Sequence, residues 1–428
     1  MRCKNFYYKD DELLCDGLKI KKIVQEYSTP VFIYSELHIR ENLNQINKVI
    51  NGKQITVCYA VKANPALNIL KLAGTENLGF DVVSEGEMRR VLASSPGQKK
   101  IVFSGVGKTD EEIRFALQNE VFCLNVESLP ELNRVNMVAK SLNVRAPVSI
   151  RINPDVNPDT HPYIATGLRE NKFGLSIDDG MIAYKTAQSL PFIDVKGIDC
   201  HIGSQILSLE PFEQATNKVL NFIDRLIKET GVVLSHINLG GGLGISYSDK
   251  EHPPSLENFL SLTSDIVINW YNKRGLNPPH LLFELGRSIV GNSGILVAKV
   301  LYLKSTMDSN GKNFAVVDAA MNDLVRPTLY NAHHEVVPVI LNKKTRSSIW
   351  EIVGPICESG DWLAKNRELR LLEGDLISFL SAGAYCSSMA SNYNSRRKPV
   401  EVMVNCDGSV REIVRRESYD EIFNREIT

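Results

Sequence analysis

Eight times between residues 54 and 288 a short β-branched or aromatic run appears, and the recurrence restricts the fold more than any other feature of the chain. The runs are TVCYAVKA, GFDVVS, KIVFSG, FCLNVES, VSIRIN, GIDCHIGS, HINLGGG and LLFELG. Between them lie EGEMRRVLAS, DEEIRFALQN, PELNRVNMVAKSL, PFEQATNKVLNFIDRLIKETG and ENFLSLTSDIVINWYNKRG, whose apolar residues fall three or four apart, as in helices lying on a sheet. A doubly wound sheet shares this grammar, but eight units at this length favour closure into a (β/α)8 TIM-type barrel. After residue 290 the pattern changes. GILVAKVLYLKST, KNFAVVDA, SIWEIVG, DLISFLSAGAY and PVEVMVNCDGSVREIVRR read as strands with few helices between them. The expected organisation is α/β plus β: a barrel over 31–288, a mostly β C-terminal domain over 289–428, and an N-terminal segment, 1–30, joining the β domain.

Composition removes several function classes. The formal net charge of −1 leaves no basic footprint for nucleic acid, and no apolar run is long enough to cross a bilayer. The opening MRCKNFYYKDDELL lacks the apolar stretch of a secretory signal, which points to the cytoplasm. The cysteines, at positions 3, 15, 58, 123, 200, 357, 386 and 406, form no C-x-x-C pair and read as free thiols. The histidines are dispersed, adjacent His333 and His334 would point apart on a strand, and no metal-ligand spacing occurs. A small-molecule partner is expected.

In a barrel, ligands meet the C-terminal ends of the strands. Those ends carry Lys62, Asp81 and Ser84, Ser104, Asn125, Arg151 and Asn153, His201 and Ser204, Gly240-Gly241-Gly242, and Glu284. Burial of Lys62 would lower its proton affinity and free a nucleophilic amine; snorkelling to water is the alternative. The glycine triplet follows the seventh strand, where barrels often hold phosphate, and would let backbone N–H groups approach an anion, although glycines also serve plain turns. Ser204 adds a hydroxyl one strand away. An amine, a phosphate seat and a carboxylate on the eighth strand suit pyridoxal 5'-phosphate. The amine forms a Schiff base with its aldehyde, and Glu284 would keep the ring nitrogen protonated. His201 would lie on the ring's face, or bond a neighbour.

Over nearly its full length the chain resembles the diaminopimelate decarboxylases, pyridoxal-phosphate enzymes of the alanine-racemase-like fold type III class. The resemblance rests on YAVKAN, GFDVVSEGE, HIGSQI, GGGLG, ELGRS, DAAMNDLVRPTLY, VGPICESGDWLA and SAGAY, in that order. It implies that Lys62 bears the cofactor, that His201 stacks on its ring, and that Ser204, Gly241, Gly242 and Tyr385 help hold its phosphate. Glu284 would pair with the ring nitrogen, with Asp81, Gly286 and Arg287 also on the cofactor side. Arg287, Arg326 and Tyr330 would grip the substrate's distal carboxylate, with Tyr385 alongside, and Glu358 its distal amine. Cys357 would sit in the active site of the opposite subunit of a homodimer.

Residue chemistry is consistent with that substrate, because planar guanidinium groups suit bidentate carboxylate binding. An isolated arginine such as Arg326 also commonly makes a surface ion pair, and Cys357 reads equally as packing. The resemblance implies decarboxylation of meso-2,6-diaminopimelate to L-lysine and CO2, the last step of lysine biosynthesis by the diaminopimelate route. Cys357 would return the proton at Cα, and Lys62 is the competing donor. Three other readings share part of the pattern. An alanine racemase normally presents an arginine to the ring nitrogen; another decarboxylase, of a basic or carrier-bound amino acid, has no need of Arg287, Arg326 and Tyr330; a non-catalytic cofactor-binding protein has no need of CESGD and RPTLY. One departure stands out. The family usually has Glu-Pro-Gly-Arg where this chain has Glu284-Leu285-Gly286-Arg287, so a looser turn is expected there, with Gly286 keeping a permissive bend.

Overall fold

The computed structural model describes residues 4–157, 166, 171–306 and 311–427. The chain divides into two compact units: Met1–Glu41 with Ile245–His252 and Ile289–Thr428, and Asn42–Gly244 with Pro253–Ser288. At the start of the first unit, β1 (Phe6–Lys9), β2 (Glu12–Cys15) and β3 (Leu18–Lys19) form a small antiparallel sheet, and β4 (Val31–Ser35) follows the helix Ile20–Tyr27.

The second unit is the barrel. Its strands are β5 (Ile55–Ala60), β6 (Gly79–Val82), β7 (Ile101–Phe103), β8 (Cys123–Val126), β9 (Ala146–Arg151), β10 (Ile193–Asp199), β11 (His236–Gly241) and β12 (His280–Leu285). They close in chain order, every pair parallel, with β12 returning to β5. Each of the eight sequence runs supplies one of these strands. Cys58, Val102, Cys123 and Leu282 meet as a small buried cluster, side chains compact enough to fill the lumen. Helices begin where a hydroxyl waits: Ser84, Thr109, Ser128, Ser176 and Ser255 each accept a backbone N–H from the first helical turn.

The first unit continues with β13 (Gly294–Lys304), β14 (Phe314–Val317), β15 (Val336–Pro338), β16 (Ser348–Val353), β17 (Trp362–Leu369), β18 (Leu376–Phe379), β19 (Val400–Val404) and β20 (Val410–Val414). The sheet order is β17-β16-β14-β13-β4-β19-β20, with β18 pairing both β13 and β15. The stretch Val31–Ser35, placed with the barrel from the sequence, lies here instead, antiparallel to β13 and parallel to β19. Its five residues are all buried, and Val31 and Ile33 share a core with Phe6, Leu13, Ile295, Val297 and Val402. Two strands were not evident beforehand, β15 and β17. The second, WLAKNREL, contains no β-branched residue and reads as helix by propensity; antiparallel pairing with β16 overrides it.

One buried ion pair braces the barrel. Lys108 Nζ lies 2.7 Å from Glu131 Oε1 and donates to the carbonyls of Gly105 and Asn125, with its side chain 1% exposed. Lys108→Met should strand the Glu131 carboxylate in the interior and destabilise the fold by about 3–5 kcal/mol. Urea denaturation followed by circular dichroism checks this; a midpoint equal to that of the wild type rejects it.

Candidate active site

Strand β5 ends at Ala60, and Val61–Ala63 form a single 3-10 turn that presents Lys62 at the barrel's rim. Asn64 holds this turn: its carbonyl accepts the Tyr59 hydroxyl at 3.0 Å and its Oδ1 accepts the Ala66 N–H at 3.1 Å. The lysine is not wrapped in apolar surface, as the sequence suggested. Its side chain is 35% exposed, and Nζ lies 2.6 Å from Oδ2 of the fully buried Asp81 on β6. The other Asp81 oxygen is buried without a hydrogen-bond partner among the described residues. A neighbouring carboxylate, absent from any reading of VKAN alone, is what keeps the amine at this position.

Glu284 on β12 is buried, and the Asn238 amide of β11 donates to its Oε1 at 2.6 Å. Burial, reinforced by Asp81 and Asp199, holds the Glu284 carboxyl well above the ordinary carboxylate range. Arg151 Nη1 lies 3.1 Å from Glu127 Oε1, and its Nε lies 3.7 Å from Asp199 Oδ2. Asn238, Glu127 and Asp199 were missed by the sequence reading. A signal existed for two of them: Asp199 lies two residues before His201 and Asn238 two before Gly240, which in strands means a shared face.

Beyond β10, the half-buried His201 accepts the Gly241 N–H through Nδ1 at 3.1 Å. Burial, with Arg151 and Lys62 nearby, pushes its proton affinity far down, so the imidazole is neutral. The glycine triplet is needed for packing. A Cβ on Gly240 would fall 2.4 Å from the Cys200 carbonyl oxygen, one on Gly241 1.7 Å from that of Glu284, and one on Gly242 2.2 Å from that of Gly203. Arg287, buried at the start of its helix, donates from Nη2 to Ser204 Oγ at 3.0 Å. Gly286 has no left-handed φ; a Cβ there would press on Ala63 at 2.8 Å and Ala60 at 3.1 Å. Nor is Leu285 in a loose turn, since it is buried in β12 opposite Tyr59.

The other unit holds the remaining sequence candidates. Arg326 and Tyr330 open and close the short helix Arg326–Tyr330, one turn apart on one face. Arg326 makes no surface ion pair: it is 4% exposed and makes no salt bridge among the described residues. Cys357 is exposed, which excludes a core-filling role, and its thiol donates to Asn394 Oδ1 at 3.3 Å. Glu358 accepts the Tyr393 hydroxyl. Tyr385 and Ser381, both non-glycine residues with left-handed φ of 57° and 58°, bracket a loop in which a Gly383 Cβ would strike the Val290 carbonyl at 1.8 Å. Cys15, Cys58, Cys123, Cys200 and Cys386 are buried thiols and Cys406 is exposed; Cys3 lies outside the described residues.

A family described as pyridoxal-dependent decarboxylase, pyridoxal binding domain, matches residues 36–291. A diaminopimelate decarboxylase of Pseudomonas fluorescens is 47% identical over 419 residues, covering 98% of this chain and 97% of that one. One from Vibrio cholerae is 45% identical over 409 residues, covering 96% and 95%. The chain belongs to the diaminopimelate decarboxylase family. Among solved structures, the diaminopimelate decarboxylase of M. jannaschii in co-complex with L-lysine matches with a TM-score of 0.93 at 36% identity, covering 100% of this chain and 99% of that one. That of Helicobacter pylori, complexed with L-lysine, matches with a TM-score of 0.86 at 38% identity, covering 94% and 98%. Like other diaminopimelate decarboxylases, the chain is a pyridoxal-phosphate-dependent carboxy-lyase. The rim fits that cofactor: it offers a primary amine and, among the described residues, an unmatched buried Asp81 oxygen and a buried Glu284 with no salt bridge.

Because the Glu284 pKa is raised by folding, the folded apoprotein binds a proton that the unfolded chain, near the ordinary value of about 4.3, gives up. This site therefore subtracts stability as pH rises above that value. Cofactor-free Glu284→Gln should gain on the wild type as pH goes from 5 to 8, read as the difference between urea midpoints. A difference that stays constant across this range counts against a buried, proton-holding Glu284.

Proposed function

We infer that the chain decarboxylates meso-2,6-diaminopimelate to L-lysine and CO2, and that its site residues divide between holding the cofactor and gripping the far end of the substrate. One observation carries the choice of substrate: Arg326 is a buried guanidinium with no carboxylate beside it among the described residues. A buried cation left unmatched by the protein calls for an anion from elsewhere, and the distal carboxylate of diaminopimelate supplies one. Ornithine, arginine and lysine, bound as substrates with their single carboxylate at the reacting centre, have none at the far end.

Pyridoxal phosphate, when bound, supplies an electron sink for the pair released as the Cα–carboxylate bond breaks. Lys62 is assigned to hold its aldehyde carbon, with Asp81 keeping the amine at the rim. Glu284 holds the proton at the ring nitrogen, and Asn238 fixes the carboxyl that does so. His201, neutral and tied to Gly241, is placed to limit tilt of the ring. Ser204, Gly241, Gly242, Gly286, Arg287 and Tyr385 are assigned to the phosphate side. Arg287, Arg326, Tyr330 and Tyr385 orient the distal carboxylate and Glu358 the distal amine, which sets which carboxylate of the substrate departs.

Cys357 is assigned the proton returned to Cα, with Lys62 as the competing donor. Its exposure suits a residue that serves a second copy of the chain, and the assembly proposed is a homodimer with shared sites. Free thiols at every described cysteine fit a reducing cytoplasm.

Cys357→Ala should lower kcat by about 10²-fold or more, the range of a general acid, while cofactor loading stays intact. Unchanged turnover would remove Cys357 from the mechanism. Substrate choice is checked by CO2 release from meso-diaminopimelate, its L,L isomer, lysine, ornithine and arginine. Only the meso compound should turn over appreciably, and Lys62→Ala should abolish its turnover. Cofactor-loaded protein inert towards meso-diaminopimelate overturns the reading.

A further inference from the structure

The partners of Arg326 among the described residues are unusual for a buried cation because none is an acid. Nη1 lies 2.8 Å from His334 Nε2, and the guanidinium carbon stands 4.7 Å from the centroid of the Tyr247 ring. Arginine only donates, so His334 Nε2 must offer its lone pair. The other ring nitrogen, Nδ1, lies 2.9 Å from the Leu380 carbonyl oxygen, which only accepts, so Nδ1 carries the proton. Two hydrogen bonds thus fix both the orientation and the tautomer of the imidazole and leave it uncharged. His334 is 0% exposed and Tyr247 4%, and their rings meet edge to face at 5.3 Å and 78°. Arg326 Nε is buried and has no hydrogen-bond partner among the described residues.

We propose that His334 is the positioning residue of the carboxylate clamp, fixing the Arg326 guanidinium through a neutral acceptor so that its charge and its Nε donor stay available for the substrate's distal carboxylate. A glutamate or aspartate would hold the arginine as firmly, but would neutralise it and compete with the incoming anion. A neutral imidazole gives the direction without the neutralisation. The face of Tyr247 attracts the cation from a second side, again without a formal charge. The Leu380 carbonyl completes the chain of constraint by removing the imidazole's freedom to flip or to present an N–H to the arginine. This inference rests on the assignment of Arg326 to the distal carboxylate, and the test separates the two.

Holoenzyme carrying His334→Leu should load cofactor with an unchanged visible spectrum and show KM for meso-diaminopimelate raised by about tenfold, with kcat within a factor of about two. Inhibition by L-lysine, whose only carboxylate is the distal one that survives the reaction, should weaken by a similar factor, while inhibition by 1,5-diaminopentane, which has no carboxylate, should keep its wild-type Ki. His334→Gln can accept from Arg326 and donate to the Leu380 carbonyl, and should restore most of the affinity. Should the leucine variant fail to fold, His334→Asn, too short to span both partners, carries the same expectation. If Arg326→Ala leaves KM for meso-diaminopimelate unchanged, the carboxylate assignment itself fails. If Arg326→Ala raises KM and the His334 variants do not, or if they weaken 1,5-diaminopentane and meso-diaminopimelate equally, the positioning role is overturned.

Discussion

Charge that cannot reach water has to be matched within the fold, and the rim of the barrel is arranged around that constraint. Asp81, Glu127, Asp199 and Glu284 are all buried, and the cations facing them are Lys62 and Arg151. Lys62 goes to Asp81, and Arg151 divides itself between Glu127 and Asp199. Among the described residues Glu284 receives only the Asn238 amide. Burial first, and the neighbouring acids with it, therefore make the Glu284 carboxyl keep its proton more readily, and Asp199 is pushed up to about 7 as well. A protonated ring nitrogen is the group that would make up the deficit, so the site's electrostatics and the family's cofactor point the same way.

In the β unit the same constraint falls on a cation. Arg326 is a buried cation held by an imidazole and a phenol ring. Around it the chain is fixed by acids that do not touch it. Asp361 accepts the Met321 N–H at 2.7 Å and the Ile356 N–H at 2.8 Å, joining the segment that leads to Arg326 with the one that leads to Cys357. Thr328 adds a bond to the Gly360 carbonyl at 2.7 Å. A Cβ on Gly354 would fall 2.5 Å from Asp361 Oδ2 and 2.6 Å from Ala320, so the closeness of these segments is built into the sequence. Movement of one would drag the other. Residues assigned to substrate binding and to proton return are thereby placed on a single rigid support.

The order and number of barrel strands were legible because apolar runs and helical periodicity leave few ways to arrange eight repeats. Lys62, His201 and Glu284 were legible because polar residues at strand ends need a reason once closure brings them to one rim. What stayed hidden was information about partners. VFIYS reads as a buried strand in either unit, and only β13 and β19 decide where it goes. Asn238 and Asp199 look like incidental polar residues within strands until Glu284 and Arg151 are seen facing them. Leu285 looked like a loss of stiffness relative to proline, yet pairing with Tyr59 and burial in β12 provide the restraint that a pyrrolidine ring would have imposed.

The glycines show why a correct motif can be chosen for an incomplete reason. Gly240, Gly241 and Gly242 suggested a bare backbone open to an anion, but the missing Cβ atoms face carbonyl oxygens of Cys200, Glu284 and Gly203. The ends of β10, β11 and β12 are pressed together here, and the register between β11 and β12 shifts between Asn238 and Gly241. Such crowding turns backbone groups out of the regular ladder, and in this chain one of them, the Gly241 N–H, is what orients His201. An alanine in the triplet would therefore disturb the imidazole and the Glu284 backbone before it obstructed any ligand. Close backbone packing comes first, and the arrangement of the site's functional groups follows from it.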